Sequence, residues 1–283
     1  MELHVTKYHG LGNDFIVMRE EEAAKVADLN DLIVQVCDRH TGIGADGFII
    51  PKTMPEGSEA QFEMVYYNQD GSRAPMCGNG IRCLSGFLSD EKLIDCDVLP
   101  ISTLAGLKTV TIENLDPFQV RVNMGKADFA PEAIAAQSDQ PVWDLELDTD
   151  QGKQTVCSFF MSTVHTVVFD DDPMGDIEQK GKALCFHPFY TEQTNVNFVN
   201  VLDPKHIQVQ TYERGCGVTL ACGTGVCASA LTCYLKGLCG PKMDVELKRG
   251  HLTIEIDDDQ TVFMSGPAQK IMEGTYLYHP STK

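Results

Sequence analysis

Short runs in which apolar and polar positions alternate dominate this chain, and stretches with helical spacing are few. In the first half, β-branched or aromatic runs at 15–18, 62–67, 107–113 and 119–124 predict strands. A second series predicts strands at 155–161, 164–169, 196–201, 206–212, 243–248, 252–256 and 261–264. Asn30 can cap a helix that buries Leu32, Ile33, Val36 and Cys37, and Asp172-Pro173 can open another through Ile177 toward Leu184. After Cys77, the residues Ile81, Leu84 and Leu88 recur at helical spacing; after Cys222, Val226, Ala230 and Cys233 do the same, with a stop near Gly237. The stretch 131–141, rich in Ala, Gln and Asp, reads as a loop. Each half thus holds a strand-rich series and one helix that follows Cys-Gly-x-Gly, which points to two related domains and not to a solenoid.

Composition narrows the setting. A chain of 283 residues, 43% of them apolar, can bury two cores. Its net charge of -19, from 41 acidic against 22 basic residues, argues against nucleic acid and anionic membrane surfaces as partners. The acidic run Asp170-Asp171-Asp172 reads as solvated surface that caps a helix. Nothing approaches the ~18 uninterrupted apolar residues of a membrane span, and Met1-Glu2-Leu3-His4 does not begin a signal peptide. Eleven scattered cysteines fit no paired disulfide framework, so a soluble protein of the reducing cytoplasm is expected. The glycine-rich segment 41–47 is a candidate flap.

The chemistry centres on Cys77-Gly78-Asn79-Gly80 and Cys222-Gly223-Thr224-Gly225. A cysteine at the positive end of a helix has its thiolate stabilised, and the N–H groups of the first turn can hold a carboxylate without an arginine. Two such helices directed at one amino acid would set a sulfur on each face of its α-carbon. A thiolate then removes the α-proton, a thiol delivers one from the other side, and the helix dipoles favour the enolate-like charge between these steps.

Cys37, Cys83, Cys96, Cys157, Cys185, Cys227, Cys233 and Cys239 read as small buried hydrophobes. No Cys-x-x-Cys pair exists, and the spacings from Cys77 to Cys83 and from Cys222 to Cys227 do not stack ligands on one helical face, so no metal is expected.

The run from Asn68-Gln69-Asp70-Gly71 through Met76-Cys77-Gly78-Asn79-Gly80-Ile81-Arg82-Cys83, together with Tyr212-Glu213-Arg214-Gly215-Cys216-Gly217 and Ala221-Cys222-Gly223-Thr224-Gly225, resembles the diaminopimelate epimerase family. Lys7-Tyr8-His9-Gly10-Leu11-Gly12-Asn13-Asp14-Phe15, the stretch from Asp38 to Gly47, and Gly266-Pro267-Ala268 support the likeness, which covers essentially the whole chain in order. The resemblance implies an α/β fold (α+β) of two pseudo-symmetric domains. Each is a mostly antiparallel sheet wrapped around a central helix, with the active site in the interdomain cleft. The domains would be 1–121 plus 268–283, carrying Cys77, and 122–267, carrying Cys222. It further implies a homodimer with no cofactor, neither pyridoxal phosphate nor metal, that interconverts LL- and meso-diaminopimelate on the route to lysine and peptidoglycan.

Carried onto this chain, the resemblance makes Cys77 and Cys222 the acid/base pair, with His165 and Glu213 as catalytic polar neighbours of the thiols and Glu213 also able to accept the reacting ammonium. Gly78, Asn79, Gly223 and Thr224 would hold the reacting carboxylate, while Asn13, Asn68, Asn195 and Arg214 would recognise the substrate, chiefly its distal end. Two departures stand out. The family usually reads Gly-Asn-Pro-His where this chain has Ser162-Thr163-Val164-His165, and a usual Glu is Val218. Thr163 can still donate one hydrogen bond, so it stays in the substrate-binding set. Alternatively the distal pocket serves another amino acid, such as histidine, and a non-catalytic amino-acid sensor or redox protein on the same scaffold is the reading from a different class.

Overall fold

The computed structural model describes residues 1–281 and divides into two compact units, Met1–Val122 with the segment from Gly266 onward, and Asn123–Ser265. In the first unit the strands are β1 (Glu2–Gly10), β2 (Asn13–Val17), β3 (Gly47–Thr53), β4 (Phe62–Asn68), β5 (Val98–Thr103), β6 (Gly106–Leu115) and β7 (Phe118–Gly125). They lie side by side in chain order, and the C-terminal strand Gln269–Leu277 pairs with β1 at the near edge. Only β2–β3 and β4–β5 are parallel. Those are the two connections that carry helices. A short helix α1 (Glu20–Ala23) and α2 (Leu29–Cys37) lie between β2 and β3, and α3 (Gly78–Asp90) lies between β4 and β5. A parallel pair needs a crossover long enough for a helix, whereas tight hairpins give the antiparallel neighbours.

The second unit repeats this plan. Its strands are β8 (Val142–Thr149), β9 (Gly152–Phe160), β10 (Val164–Phe169), β11 (Asn195–Asp203), β12 (His206–Glu213), the short β13 (Gly217–Thr219), β14 (Lys242–Leu247), β15 (Gly250–Ile256) and β16 (Val262–Pro267). Again eight strands run in the same sequence of orientations, with β10–β11 and β12–β14 parallel and the rest antiparallel. Helix α4 (Glu178–Cys185) makes the first crossover and α5 (Gly223–Leu235) the second. β13 adds to β12 as a small hairpin, and in the first unit the single bridge Tyr67–Arg73 stands in the same place.

Helices α3 and α5 occupy equivalent places, and each is swallowed by its sheet. Every residue from Gly78 to Leu88 is buried, and α3 packs on β1, β2, β3, β6 and the C-terminal strand. α5 packs in the same way on β10, β11, β12, β14 and β15. A helix buried all round is the expected product of apolar or small residues on nearly every face, to which Asn79 and Arg82 of α3 are the polar exceptions. On the opposite face of the first sheet, Leu32, Ile33, Val36 and Cys37 of α2 close a core with Leu3, Val5, Ile16 and Met18. α4 does the same in the second unit through Leu184 and Cys185 against Val168, Val196 and Phe198.

Two helix starts differ from expectation. Asp28, not Asn30, caps α2, because its side chain accepts the Asp31 N–H at 3.2 Å and puts Asn30 inside the first turn. Asp172-Pro173 does not open α4. Asp170 Oδ1 accepts the Asp172 N–H at 3.0 Å and closes a local turn, and the helix begins only at Glu178, whose N–H is accepted by Asp176 Oδ1 at 3.0 Å. The 41–47 segment is tied to the end of α2: Ile43, Gly44 and Ala45 donate to the carbonyls of Val36, Val36 and Cys37, and Lys7 Nζ holds the Gly44 carbonyl at 2.6 Å.

Candidate active site

Cys77 is the N-cap of α3 and Cys222 the N-cap of α5, each extended at φ -136°, ψ 125° and φ -113°, ψ 100°. In both, the helical ladder starts with an identical bond of 2.9 Å, from Ile81 N–H to the Cys77 carbonyl and from Val226 N–H to the Cys222 carbonyl. The N–H groups of the three residues before that bond lie outside the ladder, where they and the helix dipole favour an anion. Neither sulfur caps its own helix.

In the first unit Asn13, at the start of β2, stands against this helix start. Its Oδ1 accepts the Cys77 thiol at 3.7 Å and Asn79 Nδ2 at 3.0 Å, and its Nδ2 donates to Asp46 Oδ2 at 2.7 Å. Asp46 in turn meets Arg39, which forks onto Asp14. Burial pushes the Asp14 carboxyl up, but the bonds from Arg39 and Lys7 outweigh it and leave its pKa lowered. Behind the helix start lies Arg82, fully buried, whose guanidinium donates to Gly78 O at 3.2 Å, Asn79 Oδ1 at 3.0 Å and Pro267 O at 3.2 Å. It fixes the Asn79 amide so that its NH2 faces Asn13, and it adds a positive charge behind the Cys77 helix start. Asn68, the last residue of β4, serves its own turn, accepting from Tyr66 Oη at 3.2 Å and donating to Ser72 Oγ at 3.0 Å.

In the second unit the polar groups gather at the ends of β10, β11 and β12. His165 and Asn195 are register partners on the parallel pair. Asn195 Nδ2 donates to the Val164 carbonyl at 3.0 Å and its Oδ1 accepts the Arg214 N–H at 3.0 Å. The Arg214 guanidinium donates to the Glu192 carbonyl at 3.1 Å and to Thr163 Oγ1 at 3.4 Å, so the hydroxyl at the departure site belongs to the arginine's cluster. Glu213 Oε1 accepts Thr219 Oγ1 at 2.6 Å, and Cys222 Sγ lies 3.6 Å from Thr224 Oγ1. His165 is fully buried. Burial first, and then the nearby Arg214 charge, push its pKa down to about 3, so the ring is neutral.

Asn197 and Gly225 join these groups. Asn197 sits on β11 beneath the first turn of α5, so near that a Cβ on Gly225 would lie 2.1 Å from its Oδ1. The second glycine of the motif therefore serves packing of the helix start on its own sheet. Asn197 Nδ2 bonds His165 Nδ1 at 3.2 Å, which carries the Cys222 helix start to the histidine in one step. Sequence reasoning missed Asn197, Arg82, Asp14, Arg39 and Asp46. All but Asn197 lie inside stretches that carry the family resemblance.

Among the other cysteines, Cys37, Cys83, Cys157, Cys185, Cys227, Cys233 and Cys239 are buried as expected. Cys96 is not: it lies exposed in the link between α3 and β5. Among the described residues no three His, Cys, Asp or Glu side chains converge as a metal site, and no helix is long and apolar enough to cross a membrane.

The fold defines a class first. It is shared by a hydroxyproline epimerase from Agrobacterium vitis, with a TM-score of 0.71 at 13% identity over 99% of this chain and 94% of that one. A phenazine biosynthesis protein from Bacillus anthracis shares it too, with a TM-score of 0.67 at 14% identity over 98% of this chain and 100% of that one. Within that class, the chain belongs to the diaminopimelate epimerase family, whose model matches residues 5–130 and 158–271. It is 39% identical to the diaminopimelate epimerase of Alkaliphilus metalliredigens over 98% of both chains. With the diaminopimelate epimerase of Synechocystis sp. it shares 38% identity over 97% of this chain and 99% of that protein.

Proposed function

We propose that this chain is an isomerase, a diaminopimelate epimerase that interconverts LL- and meso-2,6-diaminopimelate by proton transfer between two cysteines, on the route to lysine and peptidoglycan. The observation that carries the reading is the equivalence of Cys77 and Cys222: each caps the central helix of a unit with the same connectivity, inside a family motif. One sulfur, as thiolate, takes the α-proton and becomes a thiol. The other thiol gives its proton to the opposite face and becomes the thiolate, so the centre inverts and the pair is ready for the reverse reaction. Charge that develops on the reacting carboxylate meets the first-turn N–H groups of Gly78 and Asn79 and of Gly223 and Thr224. No step requires pyridoxal phosphate or a metal, because base and acid are both supplied by sulfur.

Glu213 accepts the reacting ammonium, and His165 supports the thiol chemistry from β10. Asn13, Asn68, Asn195, Thr163 and Arg214 recognise the rest of the substrate. Arg214 suits a distal carboxylate because its planar fork meets two oxygens, and Thr163 Oγ1 already lies 3.4 Å from the guanidinium. The departure at 163 thus keeps a polar group in place. Relatives at 36–39% identity named diaminopimelate epimerase do not favour the histidine racemase alternative. The family resemblance also supports a cytoplasmic homodimer.

Purified protein incubated with LL-diaminopimelate, histidine, lysine and glutamate, followed by enantioselective chromatography, tests the assignment. Conversion of LL-diaminopimelate to the meso form is expected, and Cys77→Ala or Cys222→Ala should each abolish it while substrate still binds. Faster inversion of histidine, or full turnover in either variant, would overturn the reading.

A further inference from the structure

Asn197 occupies a position at which each atom of its amide is spoken for. Its Nδ2 lies 3.1 Å from the Thr166 carbonyl, which can only accept, so that atom must be the NH2. Its Oδ1 accepts Thr211 Oγ1 at 2.9 Å. The same NH2 faces His165 Nδ1 at 3.2 Å. An NH2 cannot accept a hydrogen bond, so Nδ1 must be the acceptor and the ring proton must sit on Nε2. That N–H is buried and has no hydrogen-bond partner among the described residues. Leaving such a donor unmade costs free energy, so a buried donor without a partner calls for one, and a bound ligand can supply it.

We propose that Asn197 is a positioning residue that locks His165 as its Nε2–H tautomer, so that the histidine offers a neutral hydrogen-bond donor to a carboxylate of the bound amino acid and does not act as a general base. The inference rests on the reading of His165 as part of the active site. A base would need an unprotonated nitrogen turned toward the reacting groups, and the only such nitrogen is held by Asn197. A neutral donor also suits a site next to Arg214, where a second cation would be disfavoured. The Asn197 amide is fixed from three strands at once, through Thr166 of β10 and Thr211 of β12 around its own β11, so the tautomer is set by the sheet itself.

Nitrogen-15 labelling of the eight histidines of the full chain, with the His165 signals assigned by their loss in His165→Asn, reads the tautomer directly. In the wild type, a proton on Nε2 and a bare Nδ1 are expected, and added LL-diaminopimelate should shift the Nε2–H proton downfield. Asn197→Asp offers only acceptors, so it should move the proton to Nδ1 and lower kcat on the order of 10–100-fold with a smaller change in KM. An Nδ1–H or imidazolium signal in the wild type would overturn the lock even if Asn197→Asp does not fold. An unmoved tautomer in a folded Asn197→Asp variant would overturn the role of Asn197, and an Nε2–H signal blind to saturating substrate would overturn the donor role. Because the tautomer is read without turnover, failure of the epimerase assignment is distinguishable from failure of this inference.

Discussion

Arg82 and His165 are both fully buried, and burial treats them in opposite ways. The guanidinium stays charged because three acceptors surround it, whereas the imidazole gives up its charge. The histidine's loss has a consequence for stability. Its folded pKa is about 3 against an ordinary 6.5, so between those values the unfolded chain binds one more proton than the folded one. Stability from this group is therefore whole above pH ~6.5 and declines as pH falls below it, by at most about 1.4 kcal/mol per pH unit. Urea unfolding of wild type and His165→Asn across that range should show a flatter acid limb in the variant; parallel curves would refute it. At Ser162 the backbone keeps φ 62° where the family usually has glycine. Ser162→Gly should raise the unfolding midpoint, worth about 1 kcal/mol of relieved strain, and a lowered midpoint would count against this. The cysteines, Glu213 and Arg214 were legible because they sit in dense motifs. Asn197 was not, since its role comes from strands 14 and 31 residues away in the chain.

At the level of elements, the helices that follow the two cysteines could be read directly from their spacing, but several strands could not. β3 contains Pro51, which argues against a central strand. It is tolerated because β2 pairs with β3 only through Ile49, so the missing N–H falls beyond the end of its parallel neighbour. β5 holds Pro100 for the same reason, as its pairing with β4 begins at Ile101. β1 was hidden because its alternation breaks after Val5, where the polar Thr6 is also buried and the register with the C-terminal strand shifts between Lys7 and Tyr8. The two central helices also differ in how tightly they sit. A methyl on Gly225 would meet Asn197 Oδ1 at 2.1 Å, while one on Gly80 would meet the flexible tip of Met64 at 2.9 Å. Gly225→Ala should therefore destabilise by on the order of 1–3 kcal/mol and Gly80→Ala by less, as judged by denaturant midpoints. A reversed order would contradict the packing account.

Across the whole molecule, two units with the same eight-strand order carry one cysteine each at the same structural address. Sequence shows this repeat only at the two Cys-Gly-x-Gly motifs. The shared topology is invisible there because backbone connectivity can be kept while nearly every side chain changes. What the duplication offers is a pair of chemically matched groups, and inversion by a base on one face and an acid on the other needs such a pair. Epimerisation of LL-diaminopimelate in deuterium oxide, stopped early, examines this most directly. The meso product should carry deuterium at the inverted α-carbon while recovered LL substrate keeps its hydrogen, because one sulfur takes the proton and the other supplies a new one. Deuterium appearing in recovered substrate as fast as in product would mean that a single base serves both faces, and the two-cysteine account would fail.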